Sequence, residues 1–168
     1  MPPCDHEEAD SRMVVHIVHC LNKGHNVIQV RTVDTDVVVI LIGVIHDIQK
    51  SYPNANIWVA FGRDKFFCHY NINSVSRDLG KRKSQCLPAF HSITGCDTTS
   101  AFRGRGKTTA WQTWNNYPDV TDAFSFIAKH PFHKMVKNSH TFQKLERFVI
   151  VLYDNTSSLL SVNEALNL

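Results

Sequence analysis

The sequence predicts an α/β fold, and three observations carry that reading. Residues 27–33 (VIQVRTV) alternate in the period of a half-buried strand and run directly into Asp34-Thr35-Asp36. Residues 57–61 and 66–72 are apolar and aromatic runs on either side of Gly62-Arg63-Asp64-Lys65, the pattern of a β-hairpin. Around these stand helical periods, which alternate with the strands early in the chain and dominate it later.

Taken in order, residues 7–23 place Met13, Val14, Ile17, Val18 and Leu21 at helical spacing, with acids in the first turn and Gly24 just past the end. Residues 37–49 are almost wholly apolar, and their length favours a buried helix over a strand. A short helix over 74–79 stops at Gly80, and another over 86–94 is entered through Leu87-Pro88. Lys107 and Thr108 open a helix toward Trp114, on which Trp111, Trp114 and Tyr117 read as a core stripe. Helices over 120–129 and 141–153 follow, the second with Phe142, Leu145, Phe148, Val149 and Leu152 on one packing face.

At 168 residues the length suits a single domain, with 1–97 carrying the strands and the acidic motifs and 98–168 mainly helical. A net charge of +3 gives no chain-wide field, but the basic residues cluster at Lys81-Arg82-Lys83, at Arg103/Arg105/Lys107 and at Lys129/Lys134/Lys137. Five cysteines without a C-x-x-C form neither a disulfide framework nor a zinc ribbon, which favours an intracellular setting. The opening MPPCDHEEAD lacks the basic and apolar regions of a signal peptide, and the longest apolar run, 37–45, is too short to span a bilayer.

Three acidic groups stand at element ends: Glu7, Glu8 and Asp10 at a helix start, Asp34 and Asp36 after a strand, and Asp97 before a glycine turn. Each alone is explained by helix capping or the helix dipole. Together they suit a hard divalent cation, because Asp34 and Asp36, two apart in extended backbone, point to one side at a strand's carboxyl end. Downstream of Asp97, Gly104 and Gly106 have the freedom to take positive φ or admit a close backbone. With Arg103, Arg105 and Lys107 beside them at a helix start, they read as a turn that grips phosphate. A nucleotide P-loop is excluded, because Ala101 stands where its first glycine belongs. His6-Glu7-Glu8-Ala9-Asp10 fails the zincin pattern at Asp10, and His16, His19 and Cys20 lack a second ligand pair. Asp34-x-Asp36 also resembles the nucleophile pair of dehalogenase-type phosphatases, but that reading needs the pair close to the chain start, a later lysine and a terminal acidic pair, for which the sequence has only scattered candidates.

A family resemblance rests on three of these segments in order. EEADSRM (7–13), TVDTDVVVI (32–40) and TGCDTTSAFRGRGKTTAW (94–111) resemble the acidic motifs and the glycine turn of flap-endonuclease and XPG-type nucleases, which have the PIN-like (5′–3′ exonuclease-type) fold. Residues 87–102, LPAFHSITGCDTTSAF, resemble the transposon-associated branch of that superfamily still more closely. The resemblance covers about residues 7–114. It implies a three-layer domain with a central, mainly parallel sheet and a helical C-terminal part containing a helix-turn-helix.

It also implies a metal site of Glu8, Asp10, Asp34, Asp36 and Asp97 for two Mg²⁺ or Mn²⁺ ions, with Asp34, Asp36 and Asp97 as the leading catalytic acids. Arg103, Gly104, Arg105, Gly106 and Lys107 would contact nucleic-acid phosphate. The implied activity is structure-specific hydrolysis of DNA, with RNA as the alternative substrate and a nuclear address following from the ligand. Family members begin with a strand bearing a further metal-site aspartate, so the chain reads as truncated at its N-terminus. Asp10 replaces the family's glutamate and Thr98 its tyrosine. The alternative implied function is a mobile-element-derived module that binds nucleic acid or protein without catalysis.

Overall fold

The structure, a computed structural model, describes residues 9–97, 99–137 and 139–162. Its elements are α1 (Ala9–Asn22), β1 (Val27–Thr32), α2 (Thr35–Ser51), β2 (Asn56–Phe61), a 3₁₀ turn (Asp64–Phe66), β3 (Cys68–Asn71), α3 (Ile72–Leu79), α4 (Lys81–Ile93), α5 (Lys107–Asn116), α6 (Val120–Lys129) and α7 (His140–Tyr153). This is an α/β architecture, and the chain divides into two compact units, Met1–Pro88 and Ala89–Leu168. No helix among the described residues is long and apolar enough to cross a membrane.

The first unit holds a three-stranded sheet in the order β1-β2-β3. β1 and β2 are parallel, Val27 opposite Asn56 and Thr32 opposite Phe61, whereas β2 and β3 are antiparallel. The sheet is thus mixed and not mainly parallel as the resemblance implies. Residues 62–67 are too few for the crossover that a parallel return requires, so β3 can only come back as a hairpin partner.

Helix α2 is the crossover between β1 and β2. Its Val37, Leu41, Ile42, Ile45 and Ile48 are buried with Ile17 and Leu21 of α1 and with Val30, Ile57, Val59 and Ile72. The long apolar run of the sequence is therefore a helix covering a sheet. Helix α4 begins at Lys81, well before the expected Cys86, and carries Pro88 inside it. The proline ring is accommodated by Gly43 of α2, where an added Cβ would come within 2.6 Å of Pro88 Cγ.

Ile72 also departs from expectation, starting α3 instead of extending β3. Its strand-like role beside β2 passes to a side chain. The Asn73 carboxamide accepts from the Ile57 N–H and donates to the Ala55 carbonyl, both at 2.8 Å, as a neighbouring strand would. Asn71 ends β3 by capping α3, accepting from the Ser74 N–H at 2.8 Å.

The second unit is built on aromatic rings. Phe90 stacks on Trp114 at 4.8 Å between centroids, Phe124 meets Trp114 edge-on at 5.1 Å, and Phe148 meets Phe124 at 5.5 Å. The Trp114 indole N–H donates to Thr121 Oγ1 at 2.8 Å, so the one polar group of that buried ring is satisfied. The stripe expected on α5 is core at Trp114, while Trp111 is partly exposed and edge-on to Phe90.

Asn73→Ala removes both partners of backbone groups that flank the fully buried Ile57. The expected loss is about 2–4 kcal/mol of unfolding free energy, read by urea denaturation, because each unpaired buried group costs roughly 1–3 kcal/mol.

Candidate functional site

At the carboxyl end of β1 the chain makes a tightly bonded turn. The Asp34 N–H donates to Thr32 Oγ1 at 3.0 Å, and Asp34 Oδ1 accepts from the Asp36 N–H at 2.8 Å. Asp34 is therefore the N-cap of α2, with extended backbone at φ −95° and ψ 127°. Asp36 lies in the first helical turn. The two carboxylates converge through this cap and not, as expected, through the alternation of an extended strand, because the helix begins at Thr35.

Asp10 enters from the first turn of α1. Asp10, Asp34 and Asp36 are all half-buried, and each offers a carboxylate oxygen within 4.8 Å of the others'. Two helix N-termini supply the acids, and their dipoles lessen the mutual repulsion of the charges. The donor set is all oxygen, the chemistry that Mg²⁺, Mn²⁺ or Ca²⁺ prefers. Adjacent oxygens on an octahedral Mg²⁺ stand roughly 3 Å apart, so the three carboxylates would have to draw together around an ion.

Of the other expected acids, Glu8 lies outside the described residues. Asp97 belongs to the second unit and is exposed in a turn closed by the Cys96–Thr99 bridge. Thr99 organises that turn, its Oγ1 accepting from the Cys96 N–H at 3.0 Å and donating to the Ser92 carbonyl at 2.6 Å. Gly95 has φ +98°, and a Cβ there would come within 2.6 Å of Ala101 Cβ. Residues 95–97 and 99–101 fold back on one another, and Gly95 is a steric requirement there.

Gly104 has φ +69° at the third position of a turn closed by Arg105 N–H to the Phe102 carbonyl, 3.1 Å. Gly106 is an ordinary extended N-cap of α5, with φ −80°. The positive φ anticipated for such glycines is thus used at Gly104 and not at Gly106.

Two of the three cations around the turn, Arg105 and Lys107, are engaged by the protein itself. Lys107 Nζ donates to the carbonyls of His91 and Gly95 and to Thr94 Oγ1, which caps the C-terminal end of α4. Arg105 Nη2 donates to the Tyr153 carbonyl at 2.8 Å, and its guanidinium stands 5.4 Å from the Tyr153 ring centroid. Arg103 is exposed, and its carbonyl accepts from the Tyr153 hydroxyl at 3.1 Å. Sequence reasoning overlooked Thr32, whose signal was only a hydroxyl residue two positions before a capping aspartate.

Asp34→Asn should keep the folded stability, since asparagine caps as well as aspartate, whereas Asp34→Ala should lose about 1 kcal/mol in urea denaturation. Gly95→Ala should destabilise by about 1–3 kcal/mol in the same measurement, through positive φ and contact with Ala101 together. Comparison with protein-family models, with curated proteins and with solved structures finds no match to this chain.

Proposed function

We propose that the chain is a PIN-like domain of the XPG and flap-endonuclease type that hydrolyses a phosphodiester of DNA with the help of Mg²⁺ or Mn²⁺. The observation that carries this reading is the convergence of Asp10, Asp34 and Asp36, from two elements, at the carboxyl end of β1. Ligand sites of open α/β sheets gather at that edge. The roles of Glu8 and Asp97 rest on the resemblance alone.

The chain's own part is to hold and orient. Thr32 and the cap bond fix the Asp34 backbone and one of its carboxylate oxygens, which limits the rotation that would otherwise be lost on binding. Asp36 is set by the first turn of α2, and Asp10 by the first turn of α1. A divalent cation held there supplies Lewis-acid polarisation of a phosphoryl oxygen. Arg103 and Lys107 are both exposed, but Arg105 and Lys107 donate to backbone carbonyls, so among the basic turn residues phosphate contact is most direct through Arg103.

Mn²⁺ should raise the melting temperature of the native chain, because a ligand that binds only the folded state stabilises it by mass action. Asp36→Asn should abolish that rise, each melt being read against the same protein in EDTA. Labelled single-stranded, duplex and flap DNA should be cleaved in Mn²⁺, and the Asp34→Asn/Asp36→Asn variant should be slower by about a hundredfold or more. Binding without cleavage by the folded native chain would overturn the hydrolytic reading in favour of a non-catalytic nucleic-acid-binding module.

A further inference from the structure

The same edge of the sheet carries a second feature that the acids leave unused. Thr32 and Phe61 are register partners, and the Gly62 N–H donates to the Thr32 carbonyl at 3.2 Å. The hairpin loop 62–67 thus departs beside the residue whose hydroxyl holds Asp34. This loop is built and not slack. Gly62 (φ +85°) and Asp64 (φ +48°) both take left-handed backbone, and the Phe66 and Phe67 N–H groups donate to the carbonyls of Arg63 and Asp64 at 3.0 and 3.1 Å. A Cβ at Gly62 would come within 2.6 Å of the Phe66 carbonyl oxygen.

Folding back so tightly presents rings to solvent. Phe66 is 74% exposed and Phe67 40%, so two consecutive rings stand at the surface of a fixed loop. Each ring has a cation against it: the Arg31 guanidinium is 4.4 Å from the Phe67 centroid and the Lys65 ammonium 5.1 Å from that of Phe66. His69 meets Phe67 edge-on at 4.9 Å and shares a row of the sheet with Ala60 and Arg31. With Arg63 also exposed, Arg31, Arg63 and Lys65 supply three cations, and Asp64 is the one acid of residues 62–67.

A purely apolar partner would gain nothing from these cations. A nucleotide uses both parts, stacking its base on a ring and setting its phosphate by the charge. A single strand fits best, because the bases of a duplex are already stacked on one another.

We infer that loop 62–67, with Arg31 and His69, is a stacking platform for single-stranded nucleic acid, which it delivers to the edge where Asp10, Asp34 and Asp36 gather. The platform names the substrate of the proposed hydrolysis and in that respect rests on it, but stacking itself needs no carboxylate.

The test is fluorescence anisotropy of a labelled oligothymidine of about twelve nucleotides, a length within the usual site size, with the full chain in EDTA. The native chain should bind it, and Phe66→Ala and Phe67→Ala should each weaken binding about tenfold. Phe66→Trp should retain it, and Arg63→Gln/Lys65→Gln should flatten the salt dependence. Phe66 is so exposed that its loss should leave the melting temperature in place. The Asp10→Asn/Asp34→Asn/Asp36→Asn variant should bind at least as tightly as the native chain, because three negative charges are removed beside the path of the phosphates. The inference is overturned by no binding, by binding indifferent to both rings, or by ring-dependent self-association without oligonucleotide binding. Ring-dependent binding without cleavage sinks the hydrolytic reading alone; carboxylate-dependent cleavage indifferent to the rings sinks the platform alone.

Discussion

The in-register parallel pairing of β1 with β2 is the constraint on which the first unit depends. Parallel neighbours cannot be joined by a tight turn, so the chain must cross over the sheet, and the crossing element must be apolar toward it. Helix α2 meets both demands with Val37, Leu41, Ile42, Ile45 and Ile48. Parallel pairing also sends the carboxyl ends of both strands to one edge, Thr32 opposite Phe61. The acidic turn and the aromatic loop are neighbours for that reason alone.

Small polar side chains finish what the apolar core begins. Thr32 serves two segments at once, its carbonyl receiving Gly62 and its hydroxyl receiving Asp34. Asn73 stands in for a strand beside β2, and Ser84 turns its hydroxyl to the Ser76 and Gly80 carbonyls where α3 gives way to α4. Each of these bonds satisfies a backbone group that the packing would otherwise strand away from water. The site's geometry is thus a by-product of closing the sheet properly.

In the second unit, the basic glycine turn shows how one composition serves two ends. A helix C-terminus exposes carbonyls that attract a cation as readily as a helix N-terminus attracts phosphate. Lys107 opens α5, and its side chain reaches back to the orphan carbonyls of α4, which makes it a brace for the loop that displays Asp97. Arg105 does the same for the end of α7.

The sequence by itself determined the elements whose signal is periodic or local: the strand before Asp34, the buried helix after it, the hairpin at Gly62, the stop at Gly80, and α6 over its full length. It also singled out Glu7, Glu8, Asp10, Asp34, Asp36 and Asp97, because acids at element ends are visible as spacing, but not which of them meet. Only the tertiary structure decided the rest. Pro88 reads as a helix entry until Gly43 on another helix is seen to make room for its ring. Asp34 and Asp36 read as strand neighbours until the cap bond curls the backbone into α2. Phe66 and Phe67 read as strand residues until the left-handed turn at Gly62 and Asp64 lifts them out of the ladder. Periodicity records which face a residue prefers, whereas partners far apart in sequence are chosen by packing, and packing leaves no mark on spacing.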